Sequence, residues 1–168
     1  MDVVATSVVA VLGTLLGAGL THLLQHRTAL RAEQFTREER LRQERIDAYC
    51  SFGGTLANYR RGQMDYWFAR HDDGRIREEV ELHELRREAQ RLRAVAMEAM
   101  FRAELLTDAP ELAALGRDAL KAVEAIPSAE TRDELHGVRN TSRTLIYDYI
   151  AASRPLIPGL AEEGQLTR

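Results

Sequence analysis

The sequence predicts an all-α protein: an N-terminal transmembrane helix that continues into a charged stalk, then an antiparallel bundle of about four helices. Three observations support this fold class. Residues 3–24 contain no Asp, Glu, Lys or Arg. After residue 45, apolar residues recur at spacings of three and four, as on one face of a helix. No segment alternates apolar and polar residues as a half-buried strand does.

The apolar run at residues 3–24 is long enough to span a membrane. As a helix it extends roughly 33 Å, and the hydrocarbon core of a bilayer is about 30 Å thick. A cleavable signal peptide is the weaker interpretation, since the chain starts Met1-Asp2 and no Ala-x-Ala follows the run. Basic residues are absent from residues 1–24 but frequent in 25–45, so we expect a single-pass protein of the cell membrane with its N-terminus outside and its C-terminal domain cytoplasmic.

One face of this predicted anchor consists of small residues. Gly13 and Gly17 form a GxxxG motif, and Thr21 continues the row. Such a row lets two helices approach closely in lipid. The sequence therefore predicts a self-association face at Gly13, Gly17 and Thr21, and a homo-oligomer formed through the anchor and the bundle. Glycine is common in membrane helices, so an anchor that does not pair is the alternative.

Residues 25–45 predict a charged juxtamembrane stalk helix. Glu33 and Arg37 are one of its opposite-charge pairs four residues apart, each of which stabilises an exposed helix by about 0.2–0.5 kcal/mol. Arg27 and Arg31 are the juxtamembrane basic residues, and we expect them to contact anionic lipid headgroups. A charged helix without lipid contacts explains the same pattern.

Residues 46–153 predict the cytoplasmic helical bundle, because four segments each carry an apolar seam. The seam residues, helix by helix, are Tyr49, Phe52, Leu56, Tyr59, Gln63 and Tyr66; Leu82, Leu85, Ala89, Leu92, Ala96, Ala99, Ala103 and Leu106; Leu112, Leu115, Ala119, Val123 and Ile126; and Leu135, Val138, Ser142, Leu145, Tyr149 and Ala152. The aromatic seam of the first helix has two interpretations, a packed core or the lining of a ligand cavity. Of these, the heptad spacing favours the core.

The segment ends show how the helices are delimited. Asp108 is predicted to cap the third helix, with Pro110 in its first turn, and Ser128 is predicted to cap the fourth. The third helix is the shortest, so we expect an uneven bundle, with three helices and a side helix as the alternative. Residues 154–168 are predicted to be a flexible C-terminal tail.

The sequence offers no catalytic or metal constellation. Phosphate-binding loops, HExxH and GxSxG motifs are absent. Glu79 with His83 and Asp133 with His136 are the nearest approaches to a metal site, and one histidine with one carboxylate does not complete a zinc site. Cys50 is the single cysteine, which excludes a disulfide framework, and we expect it to be a small buried side chain. We therefore predict a protein that is not an enzyme and has no cofactor or metal.

The segment around Arg45, Ala48, Tyr49 and Phe52, together with the preceding anchor and stalk, resembles uncharacterised short single-anchor helical membrane proteins of high-GC actinobacteria. The resemblance covers about the first 60 residues and implies location and shape alone.

We expect a non-enzymatic interaction or scaffold module at the membrane, with membrane lipids and an unknown protein partner. The formal net charge of −3 argues against nucleic acid as a partner. The alternatives are a membrane-acting effector of the defence or toxin type, whose anchors oligomerise, and a small-ligand sensor that uses the bundle interior.

Overall fold

A computed structural model describes the backbone over residues 2–71 and 79–159, and within these ranges it describes side chains from residue 32 onward. The helices are α1 (Asp2–His71), α2 (Glu79–Leu105), α3 (Pro110–Glu124) and α4 (Arg132–Ser153), with 3₁₀ turns at Ile126–Ser128 and Arg154–Leu156. The described ranges contain no strand. The predicted all-α class with four helices is therefore confirmed.

The chain divides into two compact units, Met1–Leu41 and Arg42–Arg168, and the second contains the bundle. Among the described residues, none of the helices has the length and apolar character needed to cross a bilayer. Several predictions lie outside the described side chains: the anchor at residues 3–24, its self-association face at Gly13, Gly17 and Thr21, and the juxtamembrane Arg27 and Arg31.

Helices α1 and α2 run antiparallel and touch closely. The Arg45 guanidinium donates to the carbonyl of Leu106 at 2.7 Å, just beyond the end of α2. Further along α1, a Cβ added at Gly62 would lie 2.6 Å from the Leu92 Cδ1 atom of α2. The same Cβ would lie 3.8 Å from the Ala89 Cα atom, so the two helix backbones pass close to each other here and the end of the Leu92 side chain fills the space beside Gly62.

Helices α1 and α4 are likewise antiparallel. A Cβ at Gly53 would meet Ile150 Cδ1 at 2.6 Å, whereas a Cβ at Gly54 would meet nothing within 4 Å. Arg60 donates through Nε to Ser142 Oγ at 3.1 Å. α3 runs antiparallel to α2, since Arg93 pairs with Glu124 and Glu104 pairs with Arg117. The four helices therefore alternate in direction, as in an up-down-up-down bundle.

The four predicted seams form most of the core, which also includes Trp67, Met100 and Leu120. Every seam residue is buried or half-buried. The largest fully buried side chains include Tyr49, Phe52 and Leu56 of α1 and Tyr149 of α4. The Phe52 and Tyr149 rings meet edge to face with their centroids 5.0 Å apart. The helical period therefore identified correctly which residues of each helix face its neighbours.

The predicted helix caps are wrong in two places. Asp108 does not cap α3: Ala109 occupies the N-cap without a side-chain bond, and the Asp108 carboxylate accepts instead from Arg45 Nη2 at 3.1 Å. Ser128 lies inside the 3₁₀ turn, and Thr131 caps α4 by accepting from the Glu134 backbone N–H at 3.2 Å. In both cases tertiary contacts or an added turn moved the helix start by one to a few residues.

Two further observations concern single residues. Cys50 is exposed, so its predicted burial is wrong. It directly follows the buried Tyr49 but lies on the solvent side of α1.

At the C-terminal end, Ile157 is buried and the carbonyl of Pro158 accepts from Arg42 Nε at 2.8 Å. The first residues of the predicted tail thus pack against the start of the bundle.

Candidate ligand cleft

An open cleft of about 630 Å³ lies at the end of the bundle where α1 terminates. Helices α1 and α2 form its two long walls, and the end of α3 with the following 3₁₀ turn forms the third. The residues that line it are Tyr59, Gln63, Tyr66, Arg70, Arg86, Ala89, Gln90, Arg93, Glu124, Pro127 and Ser128.

The cleft exists because α3 is short. α3 has 15 residues and ends at Glu124, whereas α2 has 27. Gly116 of α3 lies against Phe52 of α1, so Glu124 comes level with about Tyr59. Beyond Tyr59, α1 continues for three turns to His71 without α3 beside it. The seam of α1 is therefore left partly uncovered along this stretch.

The wall from α1 continues its apolar seam with polar side chains. Tyr59, Gln63, Tyr66 and Arg70 follow one another at spacings of four, three and four residues, which places them on one face. Gln63 is 8% exposed, and its amide nitrogen donates to the Tyr59 hydroxyl at 2.6 Å. Burial raises the pKa of the Tyr59 phenol, a shift that the Gln63 bond opposes. Tyr59 is therefore a neutral hydroxyl at physiological pH.

The wall from α2 consists of Arg86, Ala89, Gln90 and Arg93, again on one helix face. Arg93 Nε donates to Glu124 Oε1 of α3 at 2.7 Å. This bond and the charge of Glu124 raise the pKa of the Arg93 guanidinium, which is about two-fifths exposed. The ion pair connects the inner end of the cleft to α3, and Glu124 is the one carboxylate among the lining residues that the structure describes.

Trp67 holds the third wall in place. Its indole N–H donates to the carbonyl of Ala129 at 2.7 Å, and both residues are buried. Its ring stacks on that of His71, with the centroids 4.2 Å apart. Because Ala129 directly follows Pro127 and Ser128, this bond fixes the turn that contributes them to the cleft.

The opposite end of the bundle is closed. The cavity there has a volume of about 10 Å³ and lies among Phe52, Met100, Gly116 and Tyr149. This is about the volume that a single water molecule needs. The hydroxyls of Tyr49 and Tyr149 are buried without a hydrogen-bond partner among the described residues. Burial also raises the pKa of Tyr149.

Sequence reasoning found part of this site. It identified Tyr59, Gln63 and Tyr66 as one seam and named a ligand cavity as the less favoured interpretation of that seam. The pattern did not separate Arg86 from its neighbour Arg87: Arg86 lines the cleft, whereas Arg87 lies on a separate surface depression. The missed signal was the gain in polarity along the seam, from Phe52 toward Gln63 and beyond.

The two residue pairs that come nearest to a metal site in the sequence lie outside the cleft. Glu79, His83, Asp133 and His136 are all exposed and line none of its walls. Within the described part of the chain, no group of three or more His, Cys, Asp and Glu side chains could hold a metal ion.

Comparison with known proteins finds a protein family whose model matches the bundle. A family model described as KilB plasmid transfer protein matches residues 46–157. The chain is also similar to a protein named Protein KilB from Streptomyces lividans, with 43% identity over 56 residues. That alignment covers 33% of this chain and 35% of the relative, so the chain spans about a third of the curated relative that it matches. No solved structure matches the chain.

Proposed function

Since the chain belongs to the KilB plasmid transfer protein family, we propose that it is a non-enzymatic accessory protein of plasmid transfer. Its helical bundle would act as an interaction or scaffold module. The single observation that carries this proposal is the family match, which covers the bundle and its cleft. The architecture supports it, since a packed helical bundle presents long side faces to partners.

Dose dependence tests whether the protein acts stoichiometrically. A host that lacks the gene would be complemented from an inducible promoter, and plasmid transfer frequency would be measured against the cellular amount of the protein. A structural component is required in proportion to the assemblies that it enters, so transfer should rise steadily with the amount. Full transfer at a trace amount would contradict the proposal, because a catalyst works substoichiometrically.

We further propose that residues 3–24 anchor the protein in the cell membrane with the bundle in the cytoplasm. The apolar run and the arginines that follow it support this proposal. Cys50 is a natural reporter, because it is exposed and is the single cysteine. A membrane-impermeant maleimide should label Cys50 in inverted vesicles but not in intact cells. Labelling in intact cells would contradict the orientation, and Cys50→Ser is the control.

The same cysteine tests self-association through the anchor. A bismaleimide should crosslink two copies in native membranes if the chain forms a homo-oligomer. Replacing both Gly13 and Gly17 by Ile should reduce the crosslinked fraction, since bulky side chains prevent close helix approach in lipid. An unchanged crosslinked fraction would exclude the glycine face as the contact.

A second function, a small-ligand sensor within the transfer machinery, is favoured by the cleft. Its volume of about 630 Å³ falls in the range of small-molecule sites. Its lining combines arginines, tyrosines and amide side chains, which are groups that orient a polar ligand. In this function, ligand binding at the α1–α2 end would modulate the accessory role of the bundle. The measurement is the transfer frequency of cleft variants compared with surface variants of the same helix.

A further inference from the structure

We propose that the cleft binds the phosphate group of a small phosphorylated molecule, with Arg70 and Arg86 as the principal contacts. This inference rests on the second proposed function, the ligand sensor, and names the ligand class of the same site.

Arg70 and Arg86 lie toward the same end of the antiparallel α1–α2 pair. A Cβ added at Gly62 would lie 3.8 Å from the Ala89 Cα atom, and from this point Arg70 is eight residues further along α1 and Arg86 three residues back along α2. At 1.5 Å per residue these are about 12 Å and about 4.5 Å in the same direction. Both side chains line the cleft, so two guanidinium groups from different helices face one space.

No carboxylate among the described residues of the cleft pairs with these two arginines. Of the described lining residues, Glu124 alone is acidic, and it is bound to Arg93 at 2.7 Å. The described lining therefore carries three positive charges and one negative charge, an excess that favours an anion.

The charge and shape of the cleft favour phosphate over other anions. A guanidinium binds a carboxylate or phosphate in a bidentate manner, and a phosphate monoester, with three terminal oxygens and nearly two negative charges, suits two arginines better than a single carboxylate does. The chain as a whole is acidic, with a formal net charge of −3, which disfavours a nucleic acid polymer. The concave shape suits a small molecule.

The rest of the cleft can bind the remainder of such a ligand. Tyr59 and Tyr66 supply aromatic surface beyond the arginines. The Gln63 amide nitrogen is committed to the Tyr59 hydroxyl, so the Gln63 carbonyl oxygen is the group left to accept a hydrogen bond. A ligand for this cleft therefore needs a phosphate for the arginines and a hydroxyl or amine donor for the Gln63 carbonyl oxygen. Sugar phosphates and nucleoside monophosphates carry both groups.

Calorimetric titration of the purified full-length chain tests this inference with four probes: inorganic phosphate, ribose 5-phosphate, AMP and adenosine. We expect the two organic phosphates to bind and adenosine to bind at least about tenfold more weakly than AMP, a difference equivalent to about 1.4 kcal/mol. Arg70→Ala and Arg86→Ala should each weaken AMP binding by at least about tenfold. Arg87→Ala is the matched control, because Arg87 is adjacent on α2 but outside the cleft.

Several results would overturn the inference: no heat from any phosphorylated probe, equal binding of adenosine and AMP, or equal losses for Arg86→Ala and Arg87→Ala. The unfolding midpoint of each variant verifies that it is folded, and Arg86→Gln replaces Arg86→Ala if the latter is unstable. A glutamate-rich peptide that binds with the same arginine dependence would also overturn it. Failure here leaves the accessory role intact, since dose dependence of transfer tests that role without reference to a ligand.

Discussion

The two ends of the bundle differ although the same seam of α1 runs through both. Around Phe52 the seam is covered by α3 and α4, and the remaining space is about 10 Å³. From Tyr59 to Arg70 the same helix face lines an open cleft of about 630 Å³. The comparison shows that helix length, rather than helix pattern, decides whether an amphipathic face becomes core or binding surface.

The largest expected difference between the two ends is in the free energy of unfolding after truncation to alanine. Phe52 is fully buried against Tyr149, so Phe52→Ala should cost about 3–5 kcal/mol. Tyr66 is half-buried in the cleft wall, so Tyr66→Ala should cost less than about 1.5 kcal/mol. Denaturant unfolding of both variants measures this, and equal losses would show that the cleft end is packed as tightly as the closed end.

A neighbouring pair of glycines tests how tightly the closed end is packed. Gly54→Ala should stabilise the protein by about 1 kcal/mol, because alanine is the better helix former and the site is open. Gly53→Ala should be less stable than Gly54→Ala by about 1–3 kcal/mol, since its Cβ would displace Ile150. Thermal unfolding compares the two, and equal gains would show that Ile150 moves aside freely.

Removing a tyrosine hydroxyl should change the free energy of unfolding differently at the two ends, by smaller amounts than the substitutions above. Tyr149→Phe should be neutral or stabilise the fold by up to about 1 kcal/mol, because its buried hydroxyl has no partner among the described residues. Tyr59→Phe should cost about 0.5–1.5 kcal/mol, because it removes the bond from Gln63. The free energy of unfolding is again the measurement, and a destabilised Tyr149→Phe variant would reveal a partner for that hydroxyl.

The smallest effects concern two ion pairs between α2 and α3, one toward each end. Arg93–Glu124 and Arg117–Glu104 both have N–O distances of 2.7 Å and are partly exposed. Each should contribute about 0.2–1 kcal/mol, and each contribution should shrink at high salt. Double-mutant cycles at low and high salt measure both. A much larger value for one pair would show that ion pairing, as well as coverage by α3, separates the two ends.

The helical period predicted the fold well and the site in part. It identified the faces of all four helices, because burial of apolar side chains repeats with the turn of the helix wherever a neighbour is present. It could not show that Gln63 and Arg70 line a cleft, because a period says which residues share a face and not what covers that face. The caps at Asp108 and Ser128 failed for a related reason, since tertiary contacts and a 3₁₀ turn set those helix ends.

By itself the sequence determined the all-α class, the four apolar seams and the short third helix, because each depends on local spacing and on residues that interrupt helices. The tertiary structure alone decided that α1 extends past the end of α3 and that Arg70 and Arg86 share one space while Arg87 does not. The physical reason is that these features depend on the register between helices. That register depends on packing along the whole length of the helices, including the close contacts at Gly53, Gly62 and Gly116, and not on the residues next to the arginines.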